Sequence, residues 1–226
     1  MPPMEAKRPV GRPPRIPDDV REAVVASTAT RLFARSGLHG TTMDAIAAEA
    51  GVRKPNLYRQ FPSKEAAYVT VVERECDRLE QFLFRVYAAS AGLPSEELAQ
   101  RCVGAIFDFA ERHPDPFRLI FAADRAASPE ATDRIRLALR RIADKIAEIL
   151  RGEFARNGVE ADRGAAVLSE ATVGMCVFAA RRTEREEWDR EAAAHMIGSF
   201  LNAGLSNMRR RVLQGLDSTA SSTPSG

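Results

Sequence analysis

Hydrophobic and polar residues recur along most of the chain with the three-to-four-residue spacing of amphipathic helices, and the two-residue alternation of strands is scarce. The first such segment carries apolar residues at positions i, i+4, i+7 and i+8, which share one helical face. These residues are Val25, Ala29, Leu32 and Phe33. The abundance of Ala, Arg, Glu and Leu also favours helices. The pattern predicts an all-α protein.

Proline and glycine residues bound the first of these helices. It is predicted to begin after Pro17, with Asp18 or Asp19 as its N-cap, because a carboxylate there accepts hydrogen bonds from free backbone donors. Gly37 and Gly40 bracket its end.

Two short helices are predicted to follow. The first begins at Thr41 or Thr42, and the spacing of Thr41 and Asp44 is that of a capping box. Gly51 breaks this helix, and the next one runs from about residue 53 to residue 60.

The rest of the chain is predicted to be helical as well. The helix at residues 53 to 60 is predicted to bury Leu57 and, directly after its end, Phe61. A long helix then extends from Lys64 to about Ala89. Further helices are expected at roughly 94–112, 115–124, 129–156, 161–183 and 188–214. The Ser/Thr-rich residues 217–226 are expected to be a disordered tail.

The segment from residue 41 to residue 64 carries the clearest functional pattern. Two short helices joined by a glycine turn, with another helix behind them, form a helix-turn-helix. In that motif the second helix presents polar residues to DNA bases while its apolar face holds it on the domain. The polar residues here are Arg53, Lys54, Asn56 and Arg59, and the apolar ones are Val52, Leu57 and Phe61.

The charge distribution points in the same direction. The chain has a net charge of +2, but residues 1–64 hold 11 Lys/Arg against 6 Asp/Glu, whereas the remainder has an acidic excess of three. The N-terminal quarter is therefore the part suited to a polyanion such as DNA.

The same segment resembles the TetR family of transcriptional regulators. The matching residues are Ile46-Ala47, Ala50-Gly51-Val52, Leu57-Tyr58, Phe61 and Ser63-Lys64-Glu65, with Leu32-Phe33 and Gly37 in the first helix. The resemblance covers about the first third of the chain. It implies a DNA-binding domain at residues 18–64 and a helical domain at residues 65–216 that binds an effector and dimerises.

The resemblance also implies roles for individual residues. Thr42, Tyr58 and Lys64 occupy positions that contact phosphates, and Lys54, Pro55 and Asn56 occupy positions that contact bases. With Arg53 and Arg59 added, the candidate DNA contacts are Thr42, Arg53, Lys54, Pro55, Asn56, Tyr58, Arg59 and Lys64.

Three of these assignments have alternatives. The family usually places Ser or Thr at position 53 as the N-cap of the recognition helix, and Arg53 cannot cap in that way. Tyr58 could instead be a half-buried core aromatic, and Arg59 could be a solvated helix residue.

Residues 1–17 hold six prolines and four basic residues, and we expect a flexible basic arm there. Within it, Gly11-Arg12-Pro13 resembles the core of an AT-hook, in which an arginine such as Arg12 enters the minor groove. The alternative is a solubilising tail.

An effector site is expected among bulky apolar residues of the central helices. The candidates are Phe107, Phe117, Phe121, Met175 and Phe178. Residues 106–111 and 117–121 also resemble the TetR branch that senses long-chain fatty acyl-CoA in the control of lipid synthesis. For each candidate, ordinary core packing is the alternative.

In the TetR family the last two long helices form a dimeric four-helix bundle. Here these helices carry small residues that would allow a close approach, namely Gly174, Ala179, Ala180, Gly198, Ala203 and Gly204. Packing within one chain is the alternative. A two-fold dimer would present two recognition helices about 34–36 Å apart to a palindromic operator in double-stranded DNA.

Other classes of protein fit the sequence less well. His39, His113 and His195 lie far apart and form no catalytic or zinc motif, so neither an enzyme nor a metal site nor a cofactor is expected. No apolar run approaches the length of a membrane span, which favours a cytoplasmic protein.

Two other kinds of DNA-binding protein stay open as alternatives. One is a constitutive architectural protein, and the other is a regulator that senses oxidation through Cys102 or Cys176. Among ligand-controlled regulators, a repressor is the expected type.

Overall fold

The computed structural model describes residues 17–121 and 128–207. Within those ranges every regular element is a helix, which confirms the predicted all-α class. The helices are α1 (Asp18–Gly40), α2 (Met43–Glu49), α3 (Lys54–Gln60), α4 (Lys64–Ala89), α5 (Ser95–Arg112), α6 (Pro114–Phe121), α7 (Pro129–Arg156), α8 (Asp162–Glu186) and α9 (Arg190–Asn207). The expected basic arm with Arg12, the residues after 207 and the expected tail lie outside the described residues.

The start of α1 differs from the prediction. Pro17 is the N-cap residue, and no side chain caps the helix. Asp18 and Asp19 lie one step later, in the first turn, where their negative charge favours the positive end of the helix dipole. The prediction that one of them is the N-cap is therefore wrong.

The junction of α1 and α2 explains a second difference. Gly37 has φ 68°, a left-handed conformation that suits glycine, and it kinks the end of α1. The Thr41 hydroxyl donates a hydrogen bond to the Gly37 carbonyl (2.8 Å), so it is used in closing this turn. The cap of α2 is instead Thr42, whose hydroxyl accepts from the Ala45 amide (3.1 Å). The capping box predicted for Thr41 and Asp44 is wrong.

The turn before α3 follows the prediction. Gly51 has φ 65°, and Arg53 is the N-cap residue without a side-chain capping bond. Pro55 lies in the first turn of α3, where its fixed φ favours the helix and its missing donor costs little. Leu57 and Phe61 are buried as predicted, at 0% and 2% exposure.

The long helix α4 connects the two ends of the molecule. Near its middle Glu75 is buried and accepts a hydrogen bond from Thr30 of α1 (3.1 Å), and its other oxygen lies 3.2 Å from Arg78. One turn further on, Arg134 of α7 donates to Glu80 (2.9 Å) and to Asp77 (2.5 Å). These polar contacts hold α4 against both the DNA-binding helices and the C-terminal helices.

Among the described helices, α8 is long and apolar enough to cross a bilayer, and one third of its most apolar stretch is buried within the chain. Core helices of soluble proteins pass the same test, so this is weak evidence of a membrane span. The sequence predicted no membrane-spanning segment.

Candidate DNA-binding surface and effector cavity

The candidate DNA contacts lie on α2, α3 and the start of α4, and two of them, Asn56 and Arg59, line a small hollow with residues of α1. Lys54, Pro55 and Arg59 are exposed on α3, and Asn56 is partly exposed. The opposite side of α3 is fixed by Leu57, which is completely buried. The turn and the buried Leu57 thus turn the polar face of α3 outward.

Tyr58 is 46% exposed. The aromatic positions of the neighbouring core are filled by Phe33 and Phe61, and Phe33 stacks edge-on against Tyr68 at 5.2 Å between ring centroids. About half of the Tyr58 side chain is therefore accessible to DNA, and the phosphate contact and the half-buried core alternative both stay predictions.

The structure adds Asp44 to this surface, which the sequence reasoning did not include as a partner of the base-contacting residues. The Lys54 ammonium lies 2.8 Å from the Asp44 carboxylate, and the hydrogen bond and charge of Asp44 raise the pKa of Lys54. Because the two residues are ten positions apart and on different helices, only the geometry of the turn at Gly51 brings them together.

Two helix N-termini flank α3 on the same side of the domain. Thr42 caps α2 and is exposed. Ser63 caps α4 by accepting from the Ala66 amide (3.0 Å), which leaves Lys64 in the first turn as a partly exposed cation. This arrangement combines backbone donors, a hydroxyl and an ammonium, which are the groups that bind DNA phosphates.

The C-terminal helices enclose a cavity of about 150 Å³, enough for on the order of ten water molecules. Its walls come from all six helices between α4 and α9. The lining on α7 runs from residue 139 to residue 157, which corresponds to about 27 Å along the helix. The lining therefore extends over most of the second half of α7.

The lining of the cavity is polar at one end. The hydroxyl of Ser95 at the start of α5 donates to the Glu153 carboxylate near the end of α7 (2.7 Å), and Glu153 also pairs with Arg156. Three more polar residues line the cavity, namely Asn157 directly after α7 and Asn202 and Ser206 near the end of α9. Glu153 is the single ionisable carboxyl group in the lining, which contains no Lys, Arg or His among the described residues.

Cys102 and Cys176 lie in the cavity wall, and neither is in a disulfide. Burial raises the pKa of both thiols to about 12. Since the thiolate is the form that reacts with peroxide, these surroundings disfavour the redox-sensing alternative.

The five residues predicted for effector binding are distributed differently from the expectation. Phe121 alone lines the cavity. Phe107 and Phe117 are buried in the core, and Met175 packs against its edge. Phe178 is 71% exposed on α8, so the prediction that it lines a pocket is wrong. Helical spacing identifies an apolar face, but it does not say whether that face meets a core, a cavity or the surface.

The outer faces of α8 and α9 expose large apolar side chains. Val167 and Phe178 on α8, and Met196 and Phe200 on α9, are each more than half exposed. Among the small residues noted in the sequence, Ala203 and Gly204 lie on this exposed side. Gly198 instead faces Gln100 of the same chain, and Ala180 is buried, so the alternative of packing within the chain holds for these two.

Comparison with known proteins places these features in a family. The sequence profile of the tetR family of bacterial regulatory proteins matches residues 26–68. The chain is also 30% identical over 207 residues to the HTH-type transcriptional activator FasR of Mycolicibacterium smegmatis, an alignment that covers 89% of this chain and 92% of FasR. The chain belongs to the tetR family of bacterial regulatory proteins. This TetR-family protein is a DNA-binding transcriptional regulator and not an enzyme.

Solved structures agree with this fold. A TetR-like transcriptional regulator from Rhodococcus has a TM-score of 0.71 and 25% identity, with 86% of this chain and all of the other covered. The regulator FadR from Bacillus subtilis, solved in complex with stearoyl-CoA, has a TM-score of 0.69 and 16% identity, with 80% and 98% covered. At that identity, the likeness to FadR is one of fold.

Proposed function

We propose that this TetR-family regulator is a homodimer that binds a palindromic operator through α3 and is controlled by a long acyl chain held in the cavity. The observation that carries the proposal is the cavity itself, whose lining extends about 27 Å along α7, is mostly apolar and holds no cationic residue in the described ranges. Such a space suits an extended hydrocarbon chain better than a compact polar metabolite.

The ligand we propose is a fatty acyl-CoA. A hydrocarbon chain gains free energy by leaving water in proportion to the apolar area that it buries, and the walls supply that surface. FadR, which shares this fold, was solved with stearoyl-CoA, so a helical domain of this fold can hold a long acyl-CoA.

On DNA, we assign phosphate contacts to Thr42, Tyr58 and Lys64, and base contacts to Lys54, Pro55 and Asn56. Their partial or full exposure leaves these side chains free to reach DNA. Arg53 and Arg59 are further candidate contacts at the two ends of α3, and Arg12 is a candidate for the minor groove.

The partner in the dimer is a second copy of this chain. The apolar side chains exposed on α8 and α9 follow helical spacing along one side, with Val167 and Phe178 eleven residues apart and Met196 and Phe200 four apart. A contiguous apolar surface of this kind is covered in soluble proteins by a partner. Pairing of α8 and α9 with their copies also explains why α8 is so apolar. We propose a cytoplasmic protein with no membrane partner.

Repression stays a prediction for the direction of regulation. A repressor is the type expected from the sequence, whereas the relative FasR is named as a transcriptional activator.

The proposal is tested by selecting binding sites from a random pool of double-stranded DNA with the full-length protein, followed by native mass spectrometry of the complex. We expect a two-fold symmetric site, a protein dimer and a change in DNA affinity when palmitoyl-CoA is added. An asymmetric site bound by a monomer would contradict the dimer. Unchanged DNA affinity at saturating palmitoyl-CoA would contradict the ligand.

A further inference from the structure

Tyr87, near the end of α4, is a buried polar side chain that faces the cavity. It is 5% exposed and belongs to the cavity wall. Its ring packs near Phe84, and its hydroxyl forms no hydrogen bond with any residue in the ranges 17–121 and 128–207. Among the described residues, the fully buried side-chain oxygens without a partner are on Glu75 and Glu153, so the Tyr87 hydroxyl is accessible from the cavity, where water or a ligand can accept its hydrogen bond.

The surroundings of Tyr87 keep it neutral. Burial and the neighbouring thiols of Cys102 and Cys176 raise the pKa of its phenol, so the hydroxyl stays protonated at physiological pH. A protonated phenol donates one hydrogen bond. The Tyr87 hydroxyl is therefore a hydrogen-bond donor available to an acceptor atom of a bound ligand.

The position of Tyr87 along the cavity is also defined. Ser95 belongs to the polar end through its bond to Glu153, and Cys102, the neighbour of Tyr87, lies seven residues further along α5, or about 10 Å. Beyond that level α5 and α6 present Val103, Ile106 and Phe121 to the cavity. Tyr87 thus lies where the polar end of the lining gives way to apolar residues.

We infer that the Tyr87 hydroxyl donates a hydrogen bond to the carbonyl oxygen of an acyl thioester, and that the cavity accepts esterified acyl chains in preference to free fatty acids. This inference rests on the proposed acyl ligand. A thioester carbonyl is a neutral acceptor with a hydrocarbon chain on one side, which matches one donor placed before an apolar interior.

A free fatty acid fits this position poorly. Its carboxylate would leave water for a site where the lining residues include no cation, and an unpaired buried charge is strongly disfavoured. Moving the carboxylate toward the polar end would bring it close to Glu153, which already holds the neighbouring cation Arg156, so the described lining offers no further cation for a second carboxylate. The esterified chain meets neither obstacle.

The test compares three probes on the full-length protein by isothermal titration calorimetry: palmitoyl-CoA, its thioether analogue S-hexadecyl-CoA, which has a methylene in place of the carbonyl, and palmitate. We expect Tyr87→Phe to weaken palmitoyl-CoA about tenfold, since one buried hydrogen bond is lost. The affinity for S-hexadecyl-CoA should not change. Palmitate should bind the unmodified protein more weakly than palmitoyl-CoA.

Thr183→Val is the matched control. Thr183 lies on α8 outside the cavity lining, and its hydroxyl donates to the Ala180 carbonyl (2.9 Å), so its removal should leave all three affinities unchanged. The carbonyl of palmitoyl-CoA labelled with carbon-13 gives an independent measurement. Its infrared band should lie at lower frequency in the unmodified protein than for a thioester in hydrocarbon solvent, a comparison that does not depend on the folding of any variant.

The outcomes separate the inference from the proposed function. Equal weakening of the thioester and the thioether by Tyr87→Phe, or no weakening of either, would overturn the hydrogen bond while leaving the acyl ligand in place. An unshifted carbonyl band would do the same. Failure of the unmodified protein to bind palmitoyl-CoA would overturn both proposals.

Discussion

The DNA-binding surface and the cavity are built in opposite ways. The candidate DNA contacts come from 23 consecutive residues, 42 to 64, and their polar side chains lie on the outside of a small core. The cavity draws its lining from six helices over residues 83 to 206, and its useful groups face inward. The candidate DNA contacts are exposed side chains that are close together in the sequence. The cavity lining consists of inward-facing side chains that are far apart in the sequence.

The difference determines how each region should respond to substitution. On the DNA-binding surface a polar change alters one contact while the fold persists, whereas a change beneath the surface removes the scaffold for all contacts. In the cavity wall an apolar side chain already borders empty space, so its truncation removes fewer packing contacts and should cost less stability. Matched substitutions in the two regions therefore sharpen the comparison.

The largest effect is expected for Leu57→Ala, which leaves a void under α3. We expect a loss of about 2–5 kcal/mol in the unfolding free energy of the DNA-binding domain, together with loss of DNA binding. Leu139→Ala, in the cavity wall, should cost less because Leu139 is only partly buried. Urea denaturation followed by circular dichroism measures both variants. An equal cost would mean that the cavity wall is packed as tightly as the core.

Asn56→Ala should weaken base discrimination without unfolding the domain. A lost bidentate contact costs about 1–3 kcal/mol at one base position. Selection from a random DNA pool should therefore give the same site with one relaxed position in each half. A uniform fall in affinity on operator and scrambled DNA would show that Asn56 does not contact a base.

Lys64→Ala should lower affinity for operator and scrambled DNA alike, by about tenfold, because a charge-assisted phosphate contact contributes roughly 1.5 kcal/mol. The slope of log affinity against log salt should fall by about one. Lys145→Ala is the control, since that lysine lies on α7, outside the DNA-binding helices, and pairs with Glu148. Equal effects of the two variants would exclude a specific phosphate contact at Lys64.

Asp44→Asn should have a smaller effect of opposite sign. The exposed ion pair with Lys54 contributes little to stability, so the melting temperature should hardly change. Removal of a negative charge beside the DNA should raise affinity less than tenfold, and the gain should vanish at high salt. Fluorescence anisotropy at two salt concentrations measures this. A lower affinity would mean that Asp44 itself contacts the DNA.

The smallest effect is expected for oxidation. With thiol pKa values raised to about 12, the thiolate fraction of Cys102 and Cys176 is small at pH 8 and grows only as the pH approaches that value. Mild peroxide at pH 8 should leave DNA affinity unchanged, and alkylation by iodoacetamide should be far slower than for glutathione. Reversible loss of DNA binding under peroxide would restore the redox-sensing alternative.

The sequence predicted the helices and the DNA-binding motif because their determinants are local. Gly51, the apolar Leu57 and Phe61, and the Ser63-Lys64 start of α4 lie within fourteen residues, and their spacing alone describes the turn. The caps at Thr41 and Asp18 were wrong because each depends on which backbone atoms lie nearby, and a one-residue shift moves the cap.

The cavity could not be predicted in the same way. Phe121 and Phe178 are both aromatic residues on amphipathic helices, yet one lines the cavity and the other is exposed. Which of two apolar faces turns inward depends on helices far away in the sequence. Tyr87 carried no sequence signal, because its importance comes from the absence of a hydrogen-bond partner among the residues described.

The position of α4 has a thermodynamic consequence. The same helix begins with Lys64 at the candidate DNA surface and ends with Leu83 and Tyr87 in the cavity wall. If a ligand changes DNA affinity through this helix by some factor, linkage requires that DNA change ligand affinity by the same factor. Operator-bound and free protein would then hold different amounts of ligand at the same ligand concentration, and the operator would itself act as an effector of the cavity.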